Sequence, residues 1–248
     1  MSQNDSASVS GSAARFATTH WSIVLSAHDL DTSRAEQCLA KLCQTYWYPL
    51  YAFIRRQGYS AHDAQDLTQA FFARLLEKNY LAAVRREKGR FRSFLLAALK
   101  HFLANEWDKR NAQKRGGGRV FIPLDADSAE TRYGLEPSHD STPDKSFERQ
   151  WALTLLEKVL AQLRAEFVSN GKEKIFDHLK SSLAGTRDSI PYSEIATKLG
   201  TSEGAIKVAV HRLRQRYREL LRAEIAQTVN NSNEVEDELR HLFVVLSQ

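Results

Sequence analysis

Apolar residues recur at helical spacing in successive segments of the chain, and these stripes predict an all-α fold. The stripes predict helices within 33–56, 61–78, 91–115, 143–167, 172–183 and 234–248, and a closely spaced pair within 191–222. Between 119 and 142 the pattern lapses into prolines, a glycine and scattered acidic residues, which predict a flexible linker. The sequence therefore predicts two small helical domains joined by a linker, the C-terminal one containing a helix-turn-helix.

These patterns also divide the chain. We expect a disordered leader and a short lead-in over 1–32, a first helical domain over 33–118 and the linker over 119–142. The second domain then covers 143–229, and an amphipathic helix over 230–248 ends the chain. That last helix could cap a domain or bind a partner.

The helix pair within 191–222 has the layout of a helix-turn-helix, a short helix followed by a longer one. Gly200 is placed to adopt a left-handed conformation just after the first helix. Ser202 is placed to cap the second helix, and Glu203 complements its dipole. The break between the two helices is therefore specified by local chemistry.

The longer helix of this pair carries polar and basic residues on the face that packing does not require. A helix in the major groove reads bases with its N-terminal residues and contacts phosphates farther along. We expect base contacts from Ser202, Glu203, Lys207 and His211. We expect mainly phosphate contacts from Arg212, Arg214 and Arg218. The alternative is a solvated, charged face in an ordinary helical bundle.

Charge supports a polyanionic partner once its distribution is considered. The formal net charge of the chain is only +5. Between residues 41 and 119, however, sixteen lysines and arginines face six acidic residues, an excess of ten positive charges. The first predicted domain is therefore strongly basic, although the net charge of the whole chain is small.

The cysteine spacing and the N-terminal composition predict a cytosolic protein. Cys38 and Cys43 lack a metal-ligand or redox spacing and are interpreted as reduced, packed thiols. The Ser- and Ala-rich start lacks the basic and apolar regions of a signal peptide, and no segment approaches a membrane span.

The helix predicted within 61–78 carries Asp63, Asp66 and Gln69 along a polar flank beside its apolar stripe. Paired acids can perform general acid–base chemistry. Near the start of an exposed helix they more often complement the dipole or bind a partner, and we favour that interpretation.

The second half of the helix predicted within 91–115 presents four chemically different groups on one face. Trp107 supplies an aromatic ring, Arg110 a guanidinium, Asn111 an amide and Lys114 an ammonium. Together these groups suit unstacked bases and backbone phosphates. The alternative is a solvated helix end with cations near its negative terminus.

Three segments, in their order, resemble elements of the sigma-70 family of transcription initiation factors. The segment DAQDLTQAFFARLL resembles the helix with which these factors hold the clamp helices of RNA polymerase. The segment FRSFLLAALKHFLANEWDKRNAQKR resembles their protein element for the promoter −10 region. The −35-reading helix-turn-helix is similar to YSEIATKLGTSEGAIKVAVHRLRQR. Two domains without further insertions resemble the extracytoplasmic-function (ECF) type.

The resemblance implies residue roles. Polymerase contacts would come from Asp63, Asp66, Leu67, Gln69 and Phe72. Contacts to the −10 element would come from Lys88, Arg90 and Arg92, around a flipped base, and from Trp107, Arg110, Asn111 and Lys114. Contacts to the −35 element would come from Ser202, Glu203, Lys207, His211, Arg212, Arg214 and Arg218. The connector over 79–90 is longer than usual for this type, and the family pattern gives no role to the lead-in or the C-terminal helix.

The resemblance implies a non-catalytic initiation factor whose partners are bacterial RNA polymerase core and promoter DNA, near the nucleoid. An anti-sigma factor or another regulator is a possible further partner, and no cofactor or metal is expected. A polymerase-independent repressor or activator is the main alternative. An enzyme acting on nucleic acid is disfavoured, because the eight histidines are scattered without metal-ligand spacing.

Overall fold

The computed structural model describes residues 20–21, 32–75, 90–112, 126–135, 142–183, 190–229 and 231–247. These residues form helices and turns, with no strand among them, so the predicted all-α class is confirmed. The helices are α1 (Thr32–Arg56), α2 (Ala61–Leu75), α3 (Phe91–Ala112), α4 (Ala126–Gly134), α5 (Pro143–Ser169), α6 (Glu173–Leu179), α7 (Tyr192–Leu199), α8 (Glu203–Ala226) and α9 (Ser232–Leu246). A 3₁₀ turn, Lys180–Leu183, follows α6. The predicted leader, the connector with Lys88, and Lys114 lie outside the described residues.

The aromatic face of α1 forms the centre of the core. Tyr46, Tyr51 and Phe53 are almost completely buried. The most extensive helix packing in the described structure is between α1 and α5. Helix α1 belongs to the first predicted domain and α5 to the second. Their packing therefore joins the two predicted domains in one hydrophobic core. The assignment of separate DNA-binding tasks to the two halves stays a prediction.

Both cysteines lie within this packing of α1. Cys38 and Cys43 are free thiols and both are buried, as the sequence predicts. Burial raises the pKa of the Cys43 thiol, because the charged thiolate would lose its hydration. The Cys43 thiol therefore stays protonated at neutral pH.

A helix, α4, occupies part of the predicted linker, and the expectation that 119–142 has no regular structure is wrong there. Glu130 of α4 accepts hydrogen bonds from Arg55 of α1 at 3.1 and 2.7 Å, and from the Tyr51 hydroxyl. The Arg132 guanidinium lies 4.0 Å from the centroid of the Tyr48 ring. Polar and cation–π contacts to α1 therefore act together with the burial of Ala129 to hold α4 on the core.

The contact between Glu130 and Arg55 predicts a pH-dependent loss of stability in the variant Glu130→Gln. Hydrogen bonds from Arg55 hold the pKa of Glu130 below its usual value. The stabilisation is therefore complete above the unfolded pKa and disappears as the pH falls through the lowered folded pKa. At pH 7 we expect the variant to lose about 1 kcal/mol, since Glu130 is partly exposed.

Thermal melts between pH 7 and pH 3 would check this expectation. The matched control is Glu173→Gln, which makes the same charge change in an exposed pair with Arg164. A difference between Glu130→Gln and the native protein that persists unchanged at pH 3 would contradict the account.

The turn between α7 and α8 has the conformation that the sequence predicts. Gly200 has φ 62° and ψ 39°, a left-handed conformation that costs glycine little. The backbone N–H of Thr201 donates to the Ala196 carbonyl at 2.9 Å, which closes the end of α7. The backbone N–H of Ala205 donates to the Ser202 hydroxyl at 3.2 Å, which caps α8.

The described part of the lead-in joins both halves of the core. The Trp21 side chain is fully buried, and its ring centroid lies 5.0 Å from that of Phe91. The backbone N–H of Trp21 donates to the Gln227 carbonyl at 3.0 Å, and that of Phe91 donates to the Thr228 carbonyl at 3.0 Å. The start of α3 and the end of α8 are thereby held together.

Helix α9 packs against α5 and α8, with Val235, Leu239 and Leu242 buried. Phe243, which also has the spacing of this apolar face in the sequence, is instead 63% exposed. The buried face turns instead toward Glu238, of which only 1% is exposed. None of the described helices has the length and apolarity required to span a membrane.

Candidate nucleic-acid interface

The outer face of α8 is a continuous exposed surface. Ile206, Val210 and Leu213 are buried, and they fix the orientation of the helix. Six of the seven residues predicted to contact the −35 element are exposed: Ser202, Glu203, Lys207, His211, Arg212 and Arg218. The N-terminal half of α8 is therefore accessible to a duplex groove.

Lys207 and Glu203 pair with each other on this face, with Nζ and Oε1 2.8 Å apart. The hydrogen bond to Glu203 raises the pKa of Lys207. Both side chains are exposed, so the pair contributes little to stability. A base edge or a phosphate can therefore replace Glu203 as the partner of Lys207 at small cost.

Arg214 differs from the other predicted residues because it is half-buried and bonded within the protein. Its Nε and Nη2 atoms donate to the Ser182 carbonyl at 3.0 and 2.6 Å. On a helical wheel Arg214 lies beside the buried stripe, close enough to reach the 3₁₀ turn. Arg214 therefore stabilises the turn, and its expected contact with phosphates stays a prediction.

Val208 is a surface residue of α8 that the sequence analysis did not select. It lies opposite the buried stripe on the helical wheel, and half of it is exposed. An apolar side chain at the centre of such a face can contact a thymine methyl group in the major groove. The signal was present in the sequence, because Val208 interrupts the apolar period of α8.

The surface predicted to contact the −10 element is only partly described. Trp107, near the end of α3, is 62% exposed. The backbone at Arg110 and Asn111 is helical, and their side chains lie outside the description. Trp107 therefore presents an aromatic ring to solvent at the end of a helix, where a base could stack.

Arg92 and Arg90 are engaged within the protein. Arg92 is only 6% exposed, which contradicts the expectation of an accessible DNA-binding residue. It pairs with Glu148 of α5 and lies 3.3 Å from Glu238 of α9. Arg90 pairs with the same Glu238 carboxylate at 2.9 Å. Carboxylates from two distant helices cover these arginines, and the local sequence does not reveal that coverage.

The predicted polymerase surface on α2 separates into two groups. Asp63 and Asp66 are half-buried at the surface, and the backbone N–H of Asp63 donates to the capping Ser60 hydroxyl at 3.1 Å. Leu67, Gln69 and Phe72 are buried. The expectation that Gln69 lies on an exposed flank is wrong, because the buried band of α2 is wider than its apolar stripe and also includes polar side chains.

Across the described ranges, no group of three or more His, Cys, Asp and Glu residues could hold a metal ion. No family model matches the chain, and no solved structure matches it significantly. The chain is similar to a curated protein, the ferric citrate uptake sigma factor FecI of Escherichia coli strain K12. The two are 28% identical over 179 residues, which cover 72% of this chain and 88% of FecI.

Proposed function

We propose that the chain is a sigma factor of the ECF type of the sigma-70 family and that it directs bacterial RNA polymerase to promoters, which its similarity to the sigma factor FecI supports. In this proposal it binds the core enzyme without catalysing a reaction itself, and acts in the cytoplasm at the nucleoid. The surface of α2 around Asp63 and Asp66 contacts the polymerase. The buried side chains of Leu67, Gln69 and Phe72 pack beneath that surface and fix the position of α2.

The observation that supports this proposal best is the exposed outer face of α8. Its N-terminal half combines a cap, a cation, an imidazole and an apolar side chain opposite the buried stripe. Bases of a −35 element are read there, chiefly by Lys207, Val208 and His211. Arg212 and Arg218 contact the phosphates.

Opening of the −10 element is favoured by capture of unstacked bases. Each stacking step of duplex DNA is worth roughly 1.4 kcal/mol, so melting a few pairs costs several kcal/mol. Stacking of a base on an aromatic side chain returns about 1–3 kcal/mol. Trp107 supplies such a ring, and Arg110, Asn111 and Lys114 would hold the backbone and base edges beside it.

Selection of DNA by the assembled holoenzyme tests this proposal. Purified core polymerase is mixed with the protein and with promoter fragments randomised over the upstream region, and the bound DNA is sequenced. We expect two separated sequence elements that appear only when both proteins are present. If the protein selects DNA equally well without core polymerase and does not bind the core, it is an operator-binding regulator instead.

The exposed position of Val208 predicts an altered preference in the variant Val208→Ala. Removing two methyl groups from a groove contact should weaken discrimination at one base position about fivefold, or about 1 kcal/mol. Because Val208 is half exposed, stability should change by less than about 0.5 kcal/mol. Sequencing of selected −35 variants measures the preference.

Val244→Ala is a matched control for this experiment. Val244 lies on α9 and is 52% exposed, compared with 50% for Val208, so the control removes the same atoms elsewhere. It should leave the preference unchanged. A uniform loss of affinity across all sequences for Val208→Ala would show that Val208 does not read a base.

A further inference from the structure

Arg90 and Arg92, at the start of α3, form an anion-binding site that the C-terminal helix fills. The Glu238 carboxylate lies 2.9 Å from Arg90 and 3.3 Å from Arg92. Asp237 lies 3.6 Å from Arg90 on its other side. Two guanidinium groups separated by one residue thus share the carboxylates of one helix, as they would share the phosphates of a DNA strand.

The charge pattern of α9 fits this role. Four of the five residues from Glu234 to Glu238 are acidic, and two of them, Asp237 and Glu238, contact arginines of the segment that has an excess of positive charge. Glu236 of the same helix pairs instead with Arg222 of α8, and because both side chains are about half exposed this pair contributes little to holding α9 in place. Helix α9 is therefore an acidic segment held against a basic surface by its own chain.

We propose that α9 is an autoinhibitory element, in which Glu238 and Asp237 occupy the arginines that would otherwise bind phosphates of the −10 DNA strand. This inference rests on the proposed function, because the −10 role of Arg90 and Arg92, which the resemblance implies, requires the protein to act at promoters. DNA and α9 cannot hold the same guanidinium groups together. Binding to the −10 element requires Glu238 to leave, and α9 competes with the DNA until it does.

The buried part of this contact is incompletely satisfied. Within the described residues, Glu238 Oε2 and Arg92 Nε are buried and have no hydrogen-bond partner. Both buried atoms pay a desolvation cost that a fully bonded network would recover. The ring of Trp151 lies 4.8 Å from the Arg92 guanidinium and supports it when α9 moves. Such a contact can be opened by a competing polyanion.

The test compares the full-length native protein with Glu238→Gln in binding a fluorescein-labelled, random-sequence single-stranded DNA of twenty nucleotides. Anisotropy titrations give the affinity at several salt concentrations. We expect Glu238→Gln to bind five- to tenfold more tightly. Release of Arg90 should steepen the dependence of log affinity on log salt by about 0.7, while Arg92 keeps its pair with Glu148.

Glu236→Gln is the matched control, because it makes the same charge change on the same helix but disrupts only the pair with Arg222. It should bind the labelled DNA as the native protein does, within twofold. Adding Arg90→Ala to Glu238→Gln should remove most of the gain. Equal affinities for Glu238→Gln and Glu236→Gln would overturn the proposal.

Two further measurements keep this test decisive. Circular dichroism melts establish that each variant is folded, and Asp237→Asn, which removes one of the two carboxylates beside Arg90, replaces Glu238→Gln if that variant does not fold. Binding of core polymerase by each variant is measured in parallel. Loss of core binding in all proteins, native included, would refute the proposed function. Intact core binding without a gain for the released variants would refute only the inhibition by α9.

Discussion

Replacement of Trp21 by alanine should lower the free energy of unfolding by about 3–5 kcal/mol, since the change leaves a large cavity in the core. The Trp21 side chain is fully buried, and its ring lies against Phe91 and Phe94 with centroids 5.0 and 5.2 Å away. In a domain of this size, such a loss lowers the melting temperature by roughly 10 °C.

Thermal and denaturant unfolding measure this effect directly. Because Trp21 meets the start of α3 and the end of α8, its loss should also loosen the contact between the two halves. Trp107→Ala is the matched control, since it removes the same side chain from an exposed position. A loss below about 1 kcal/mol for Trp21→Ala would contradict a structural role for the lead-in.

Trp107→Ala should produce the opposite pattern, with nearly native stability and a large loss of promoter opening. Trp107 is 62% exposed, so its removal should change stability by less than about 0.5 kcal/mol. Loss of a stacked base costs about 1–3 kcal/mol, which corresponds to a five- to 150-fold decrease in the open complex. Permanganate reactivity of unpaired thymines, measured with core polymerase, reports that population.

A second variant separates stacking from other roles of Trp107. Trp107→Phe retains an aromatic ring and should recover much of the opening, while closed-complex affinity stays close to native for both variants. Equal defects in the alanine and phenylalanine variants would assign Trp107 to something other than base stacking. A fall in melting temperature similar to that of Trp21→Ala would make it a structural residue.

The parts of this fold that local chemistry determines could be predicted from the sequence. The left-handed Gly200 and the Ser202 cap are set by residues within one turn of each other, so the boundary between α7 and α8 is readable. The apolar stripe of α8 likewise identifies its buried face. For the same reason most of the outer face was predicted, apart from Arg214 and Val208.

The parts that depend on distant polar contacts could not be predicted. Helix α4 is held by Glu130 on Arg55, which lies 75 residues earlier in the chain. Arg92 is covered by Glu148 and Glu238, which lie 56 and 146 residues later. A charged residue in a basic connector indicates an exposed position, and only the tertiary fold brings these carboxylates onto it.

The measurement that tests the central claim most directly is multi-round transcription by purified bacterial core polymerase on a promoter library, with and without this protein. Sequencing of the transcripts identifies their start sites. The account predicts specific transcripts that require the protein and share two spaced upstream elements. A protein that binds core polymerase neither in this reaction nor in isolation, yet still holds duplex DNA, would contradict it.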